Sequence, residues 1–523
     1  MSASDPASRR GSLAAAGASG AVLEELLAYD VPLFGSEPGE AASQPPPSDE
    51  PHLAAWSVYA EEARAEGAIP ALSRRFPQLL YPIRAGISAT DGYRRATRQG
   101  IWPEGDPEAS GLPLSAPDRI TLEIHPTLAG RLPLIIAGER SDFEDLVRAF
   151  SARNEPVDVP ASMGACIVTG FNNWDRIREY RRLWEAANPF GDWQAEFSTV
   201  IPRKELYEDR FIILSSGPYS GVPAEAAGYA QDRWRDLSLQ IRRDHECTHY
   251  FTFRLAGAMR NNLLDEIIAD YVGLVRTFGS YRLELALLFF GLEDFPRYRE
   301  GARLQNYRGS PPLSADAFAL VRGLVHRAAQ NLAALDAARA EKLPGDDGLR
   351  RLVVVLASLP LSDLAAAGLG ERLVPAAAAP DGPGRASDGA LQVHLSSGQD
   401  PVEEAVERFA AFASRRWLPK RLQTDVFIVL DEIVSNIARC AWEDGQDHAF
   451  EMTACVREGV LELEFIDSGK AFDPLARQEP DVDRSLEERP IGGLGIHIVK
   501  KLTDVQRYER RDGKNRLLLC KRI

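Results

Sequence analysis

Apolar and polar positions alternate most regularly in Val460-Leu-Glu-Leu-Glu-Phe-Ile466, which predicts a strand with one face buried. Phe450 to Val456 pairs with it across the turn Glu458-Gly459 as a hairpin, and a second hairpin turns at Asp512-Gly513. Between Thr424 and Trp442 the period changes. Val426, Leu430, Ile433 and Ile437 recur at helical spacing and form a stripe facing a core. With a strand at Leu391 to Leu395 and a helix at Pro401 to Arg416, the last part of the chain reads as helices on one side of a mostly antiparallel sheet, an α/β two-layer sandwich. From His52 to about Gly368 the pattern is mixed and largely helical. Strands are expected at Ile120 to Ile124, at Leu132 to Ile136 and from Phe211, with a helix over Asp142 to Ala152. After Ser280 the pattern turns helical, and Ser314 to Leu343 is the longest candidate. The fold class is α+β, in more than one domain.

Composition divides the chain further. Residues 1–52 are rich in Ala, Ser, Gly and Pro and are expected to be a disordered tail, in which Val22 to Tyr29 forms a short helix able to dock. Residues 53–372 form one domain, 373–390 a Pro/Ala/Gly linker centred on Val374 to Gly384, and 391–523 the sandwich. A net charge of −15 over 523 residues argues against a nucleic-acid binder, which needs surplus Lys and Arg, but leaves docking on a basic protein open. The five cysteines show neither metal-type pairs nor an even disulfide framework, which fits a reducing compartment. The apolar runs Leu285 to Leu292 and Leu352 to Leu361 are too short to span a bilayer, so no membrane segment is expected. Ser8-Arg-Arg-Gly-Ser-Leu13 faintly resembles a twin-arginine export signal, but Glu24 and Glu25 break the stretch behind it, and the expected location is cytoplasmic.

Three short runs in the sandwich carry chemistry. In Leu430-Asp-Glu-Ile-Val-Ser-Asn436, Glu432 and Asn436 leave one helix face a turn apart; such a pair suits Mg²⁺, the amide coordinating while the carboxylate orients or deprotonates a nucleophile. Asp467-Ser-Gly-Lys-Ala-Phe-Asp-Pro474 begins at a strand end, with the Asp467 carboxylate available as an acceptor and Gly469 allowing a base to approach the backbone. Gly492-Gly-Leu-Gly-Ile496 opens a helix whose N-terminal N–H groups attract phosphate. In this order the runs resemble the GHKL (Bergerat-fold) ATPases, and within them the serine kinases that act as bacterial anti-sigma factors. The likeness extends from about Gln392 to the C-terminus and includes Gly492 to Asp504 and Tyr508 to Asn515. The resemblance implies ATP and Mg²⁺ as cofactors, Glu432 as catalytic base and Asn436 on Mg²⁺. It also implies Asp467 on the adenine amino group, and Gly469, Phe472, Gly493, Leu494 and Gly495 around the purine and phosphates, under a lid at Leu475 to Arg489. Histidine kinases share the fold, but the Pro401 to Arg416 helix has no phosphoacceptor histidine.

Upstream, His245-Glu-Cys-Thr-His249 lies on a helix expected to begin near Glu225. Histidines four apart present both rings on one face, a spacing tetrahedral Zn²⁺ accepts, and Glu246 beside them can activate a water. The next helix offers Asp265-Glu-Ile-Ile-Ala-Asp270, so Glu266 can complete the metal shell while Asp270 orients a histidine. Cys247 points off that face. This pair of helices, Asp244 to Thr277, resembles the gluzincin (thermolysin-like) metallopeptidases, which implies a peptide substrate; Phe211 to Ser216 is either a plain core strand or an edge strand for pairing it.

The expected function is that of an ATP-dependent serine/threonine protein kinase of the anti-sigma regulatory type, acting on an anti-sigma factor antagonist or binding a sigma factor-like protein. A homodimer follows from the resemblance alone. Two other functions stay open: a zinc metallopeptidase regulated by its ATP domain, and a non-catalytic ATP-gated binding protein.

Overall fold

A computed structural model describes residues 6–33, 49–256, 262–342, 345–369, 373, 391–398, 401–416, 418, 420–442, 446–457, 460–476, 494–511 and 513–523. The chain divides into two compact units, Met1–Ala378 and Ala379–Ile523. The expected linker over Val374 to Gly384 lies outside the described residues.

The first unit starts with two helices, Pro6–Ala15 and Gly20–Tyr29. Residues 6–33 are therefore ordered rather than a disordered tail; the short docking helix expected at Val22 to Tyr29 is the second of the two, and the first was not expected. Leu13 and Leu26 are fully buried, Ser12 Oγ donates to Asp363 Oδ1 at 2.9 Å, and Tyr29 donates to the Tyr307 carbonyl at 2.6 Å. A few apolar side chains at helical spacing outweigh a loop-like composition once a surface exists to receive them.

Four strands follow: β1 (Ile120–Thr127), β2 (Gly130–Ala137), β3 (Ala165–Asn172) and β4 (Glu208–Ser215), in the order β1-β2-β4-β3. β2 runs parallel to β4, and the other neighbours are antiparallel. β4 is thus an inner strand, so of the two readings of Phe211 to Ser216 the plain core strand holds; the sheet edges are β1 and β3, and Gly170 and a register shift between Val168 and Phe171 weaken the sequence signal of β3. One face of the sheet buries Trp56, Phe76, Phe143, Phe150, Phe171 and Phe211. Within this aromatic core Asp209 is satisfied by Trp56 Nε1 and Asn173 Nδ2, both at 2.7 Å, and by Arg176 Nη1 at 2.6 Å.

Two long helices, Gln231–Ala256 and Leu263–Phe278, carry the histidines and the acids. The first begins at Gln231, not near Glu225, because the short helix Ala224–Ala227 ends at Gly228 in the left-handed conformation (φ 76°). Asn262 caps the second helix by accepting from Asp265 N at 3.0 Å. Their close approach depends on Gly273, where a Cβ would stand 2.8 Å from the Ile241 carbonyl.

The second unit holds a five-stranded antiparallel sheet of β5 (Leu391–Ser396), β6 (Ala449–Arg457), β7 (Val460–Asp467), β8 (Val505–Arg511) and β9 (Lys514–Arg522), in the order β5-β6-β7-β9-β8. Helices Pro401–Arg415, Lys420–Cys440 and Leu494–Leu502 contribute to one core with it. Phe409, Val426, Leu430 and Ile433 meet Met452, Leu463, Phe465 and Leu519 there. Among the described residues, no helix is long and apolar enough to cross a membrane.

Candidate functional site

In the second unit, Asp467 ends β7 opposite Asn515 on β9. The carboxylate is buried, and its Oδ1 accepts from Gly469 N at 2.9 Å and from Asn515 Nδ2 at 2.8 Å. Oδ1 thereby has two donors, and among the described residues no hydrogen bond reaches Oδ2. Asn515 is itself fixed: it donates to the Lys470 carbonyl at 2.9 Å and accepts from Tyr508 at 2.8 Å and Arg510 Nη1 at 2.6 Å. Around this anchor a pocket is walled by Ile433, Ile437, Phe465, Ile496 and Leu517, with Asn436 and Phe472 on its border. An apolar slot with one oriented carboxylate suits a planar base bearing an amino group.

The candidate residues distribute as follows. Asn436, Asp467 and Phe472 line the pocket; Phe472 is 41% exposed. Glu432 is half-buried one helical turn before Asn436, outside the pocket lining. Gly469 permits a close approach, but to the protein itself. A Cβ there would sit 2.5 Å from the Ala441 carbonyl, which accepts from Lys470 N at 2.9 Å. The turn after β7 closes on the end of the Lys420–Cys440 helix for this reason. Leu494 and Gly495 open helix Leu494–Leu502; Gly493 lies outside the described residues, as does the expected lid apart from Leu475 and Ala476. Asn515 and Arg510, which lie in the run Tyr508 to Asn515 but had no role there, are the residues that fix Asp467 and its neighbour. Only the cross-strand register reveals them.

In the first unit the two helices bring His245, His249 and Glu266 together, with donor atoms within 4.8 Å of one another and all three side chains buried. His245 Nδ1 lies 3.0 Å from Asp270 Oδ1, and His249 Nδ1 lies 2.9 Å from Asp265 Oδ2. An ionised carboxylate only accepts, so each ring donates from Nδ1. Both Nε2 lone pairs then face one another at 3.0 Å, with Glu266 oxygens at 3.6 Å from His245 Nε2 and 3.4 Å from His249 Nε2. Convergent acceptors need a proton or a cation between them. Two imidazole nitrogens and a carboxylate fit zinc, and their outer partners Asp265 and Asp270 complete the support that such a site requires.

Without an ion, charge fixes the protonation. Burial pushes the His249 imidazolium down, but Asp265 and Glu266 outweigh it and hold its pKa well above the usual value. Burial likewise pushes Glu266 up, and the hydrogen bond and charge of His249, with His245 and Arg303 beyond, hold it well below the carboxylate range. Asp270 also accepts from Tyr219 at 2.6 Å and pairs with Arg303 Nη2, while Arg303 Nη1 reaches the Tyr219 hydroxyl at 3.1 Å. Tyr219 and Arg303 come from distant segments that no motif marks. Cys247 is buried away from the cluster, and Glu246 is half-buried.

Beside the cluster opens a cavity of about 1310 Å³ that includes Glu246, Tyr219 and the first residues of β3. Gly164 O accepts from Ser215 N at 2.9 Å, so Gly164 and Cys166 direct their backbone groups to β4. Ala165 and Ile167 therefore point theirs outward, at the sheet edge that lines the cavity.

Residues 11–368 match the model of a family described as a family of unknown function (DUF7005), and residues 395–521 match that of a histidine kinase-like ATPase domain. The chain is 29% identical to the serine/threonine-protein kinase BtrW of Bordetella bronchiseptica over 134 residues, which are 24% of this chain and 94% of that protein. It is 27% identical to the serine-protein kinase RsbW of Listeria monocytogenes over 99 residues, 18% of this chain and 63% of that protein. The second unit thus carries an ATPase domain with serine kinase relatives. The description matched by the first unit states no activity, so neither zinc nor peptide cleavage follows from these matches.

Proposed function

We propose, for a chain that belongs to the DUF7005 family through residues 11–368 and bears a histidine kinase-like ATPase domain behind it, that the second unit is an ATP-dependent serine/threonine protein kinase of the anti-sigma regulatory type. The observation that carries this reading is Asp467: Oδ1 accepts from Gly469 and Asn515, and Oδ2, which no hydrogen bond reaches among the described residues, is left to an apolar slot. Asp467 accepts from the adenine amino group, and Asn436 on the slot's border would hold Mg²⁺, which would supply charge neutralisation at the phosphates. Glu432, one turn before Asn436, takes the proton of a serine or threonine hydroxyl as its oxygen bonds to the terminal phosphorus of ATP and the bond to ADP breaks. The partner is a small antagonist protein of the anti-sigma factor class. Incubation of the full chain with labelled ATP and such an antagonist tests the proposal. Transfer to the antagonist is expected, and nucleotide binding without transfer would leave only an ATP-gated binding protein.

A second reading concerns the first unit, where the two opposed Nε2 atoms and Glu266 favour a zinc site in a metallopeptidase-like domain. His245, His249 and Glu266 would hold the ion, which supplies polarisation of a carbonyl. Asp270 and Asp265 keep both rings in the ligating tautomer, and Glu246 stands on the same helix, one turn after Arg242, as the base. Metal analysis of the purified chain is decisive: about one zinc per chain is expected, and His245→Ala loses it.

A further inference from the structure

We propose that the cavity beside the histidine pair takes an extended anionic peptide whose carboxylates are bound by Arg242 and Arg235. The inference rests on the zinc-site reading for the cavity being a reaction chamber, and it adds the class of ligand.

The cavity wall is unusually rich in arginine for a protein of net charge −15. Arg119, Arg140, Arg235, Arg242, Arg299 and Arg303 line it, against the acids Glu139, Glu246, Asp265 and Glu266. Asp265 and Glu266 are engaged with the histidines. Most of the cations have their own acids: Arg119 with Glu139, Arg140 with Glu144, Arg299 with Glu293 and Arg303 with Asp270.

Arg242 differs. It is 5% exposed and its guanidinium donates only to main-chain carbonyls, Ser215 O at 2.5 Å, Gly217 O at 2.9 Å and Pro218 O at 3.0 Å. Among the described residues no carboxylate lies within ion-pair distance of it. A buried cation satisfied by dipoles alone keeps its charge, and an anionic group entering the cavity gains from it what an exposed cation in water would not offer. Arg235 stands at 47% side-chain exposure, with only Asp232, itself 92% exposed, at 3.3 Å. A pair this exposed contributes little and yields readily to a ligand.

Helix geometry sets the register. Arg235, Arg242, Glu246 and His249 all line the cavity and are separated by seven, four and three residues, the spacing of a single helix face. At 1.5 Å per residue, Arg242 lies about 6 Å and Arg235 about 16 Å along the axis from Glu246. A strand advances about 3.3 Å per residue, so these distances correspond to roughly two and five residues of an extended chain. The ligand is polypeptide because the outward N–H and C=O groups of Ala165 and Ile167 on the β3 edge pair with another strand. The carboxylate near Arg242 is either an acidic side chain or a free C-terminus.

The test uses the full chain with Glu246→Gln in every sample, so that no probe is consumed, and measures zinc content on the same preparations. Three fluorescein-labelled octapeptides are titrated by anisotropy: an amidated neutral one, an amidated one with two Glu three residues apart, and a neutral one with a free C-terminus. At least tenfold tighter binding of an anionic peptide over the neutral one is expected, and whichever anionic probe gains identifies the source of the carboxylate. Arg242→Met should abolish the preference and Arg235→Ala should reduce it about threefold. Because Arg242 also ties down the end of β4, the exposed Arg235→Ala variant keeps the test valid if Arg242→Met fails to fold. Equal affinity for neutral and anionic probes, no binding of any probe by zinc-loaded protein, or a preference unmoved in Arg235→Ala overturns the proposal. An anionic preference in protein that holds no zinc would retain it while removing the zinc reading.

Discussion

The two units build their sites on opposite principles. Around His245 and His249 each ring has a second partner behind it, Asp270 for one and Asp265 for the other, and the whole set is buried between two consecutive helices. The pocket at Asp467 is a slot of Ile433, Ile437, Phe465, Ile496 and Leu517 with one anchored carboxylate. A cation in a low-dielectric site interacts strongly with every nearby atom, so its donors need fixed tautomers and orientations. A flat base is held mainly by shape and needs a single directed acceptor to name it. Outer residues should therefore carry a measurable share of the affinity in the first unit, though less than the ligands, whereas in the second most of the specificity should reside in Asp467 and the residue that aims it.

The largest effect separates chemistry from binding. Glu432→Ala should lower phosphate transfer by on the order of 10²–10⁴ while ATP binding, followed by calorimetry, stays within about twofold. An unaltered transfer rate would take Glu432 out of the mechanism. Next comes a stability term peculiar to the first unit. Burial, with Arg176 and Arg210 adding and Glu50 opposing, pushes the His52 imidazole down to about 4. The folded ring stays neutral where the unfolded one takes a proton near pH 6.5, so stability is complete above that pH and is lost as pH falls toward about 4. The loss approaches about 3 kcal/mol. Thermal melts of wild type and His52→Gln should diverge in slope across that window, and parallel profiles would refute the assignment.

A contrast of anchors follows. Asp467→Asn should weaken ATP binding about 10- to 100-fold, and Asn515→Ala by less, because the carboxylate survives but loses one of the two donors orienting it. Equal losses in the two variants would mean that Asn515 contacts the base directly. Smallest is the loss of one outer partner: Asp265→Asn should weaken zinc about tenfold in chelator competition and leave ATP binding unchanged. Zinc affinity identical to wild type would break the claim that the first site depends on its supporting carboxylates.

Legibility differed between the two sites for a physical reason. The hairpin Phe450 to Ile466 and the stripe Val426 to Ile437 were readable because alternation and helical spacing are local consequences of burying one face. The pair His245 and His249, and Glu266 with Asp270, were readable because a turn of helix brings i and i+4 together whatever the fold. β3 was not, since a glycine and a register shift interrupt its pattern, and without it nothing local could decide whether β4 lay inside the sheet or at its edge. Of the helices in residues 6–33, the docking helix expected at Val22 to Tyr29 is present as Gly20–Tyr29, whereas Pro6–Ala15 was missed because its stability comes from the surface that buries Leu13. The role of Gly469 was half legible: a glycine is needed there, but the backbone it accommodates is Ala441.

By itself the sequence determined which residue types stand a helical turn apart, where strands alternate, and hence that a histidine pair and a carboxylate–amide pair exist as local units. Only the tertiary structure decided what stands behind them: Asn515 beside Asp467, Tyr219 and Arg303 beside Asp270, and Arg242 on the wall with no acid to meet it among the described residues. Those partners lie tens of residues away, and no local periodicity encodes an encounter that chain packing alone brings about.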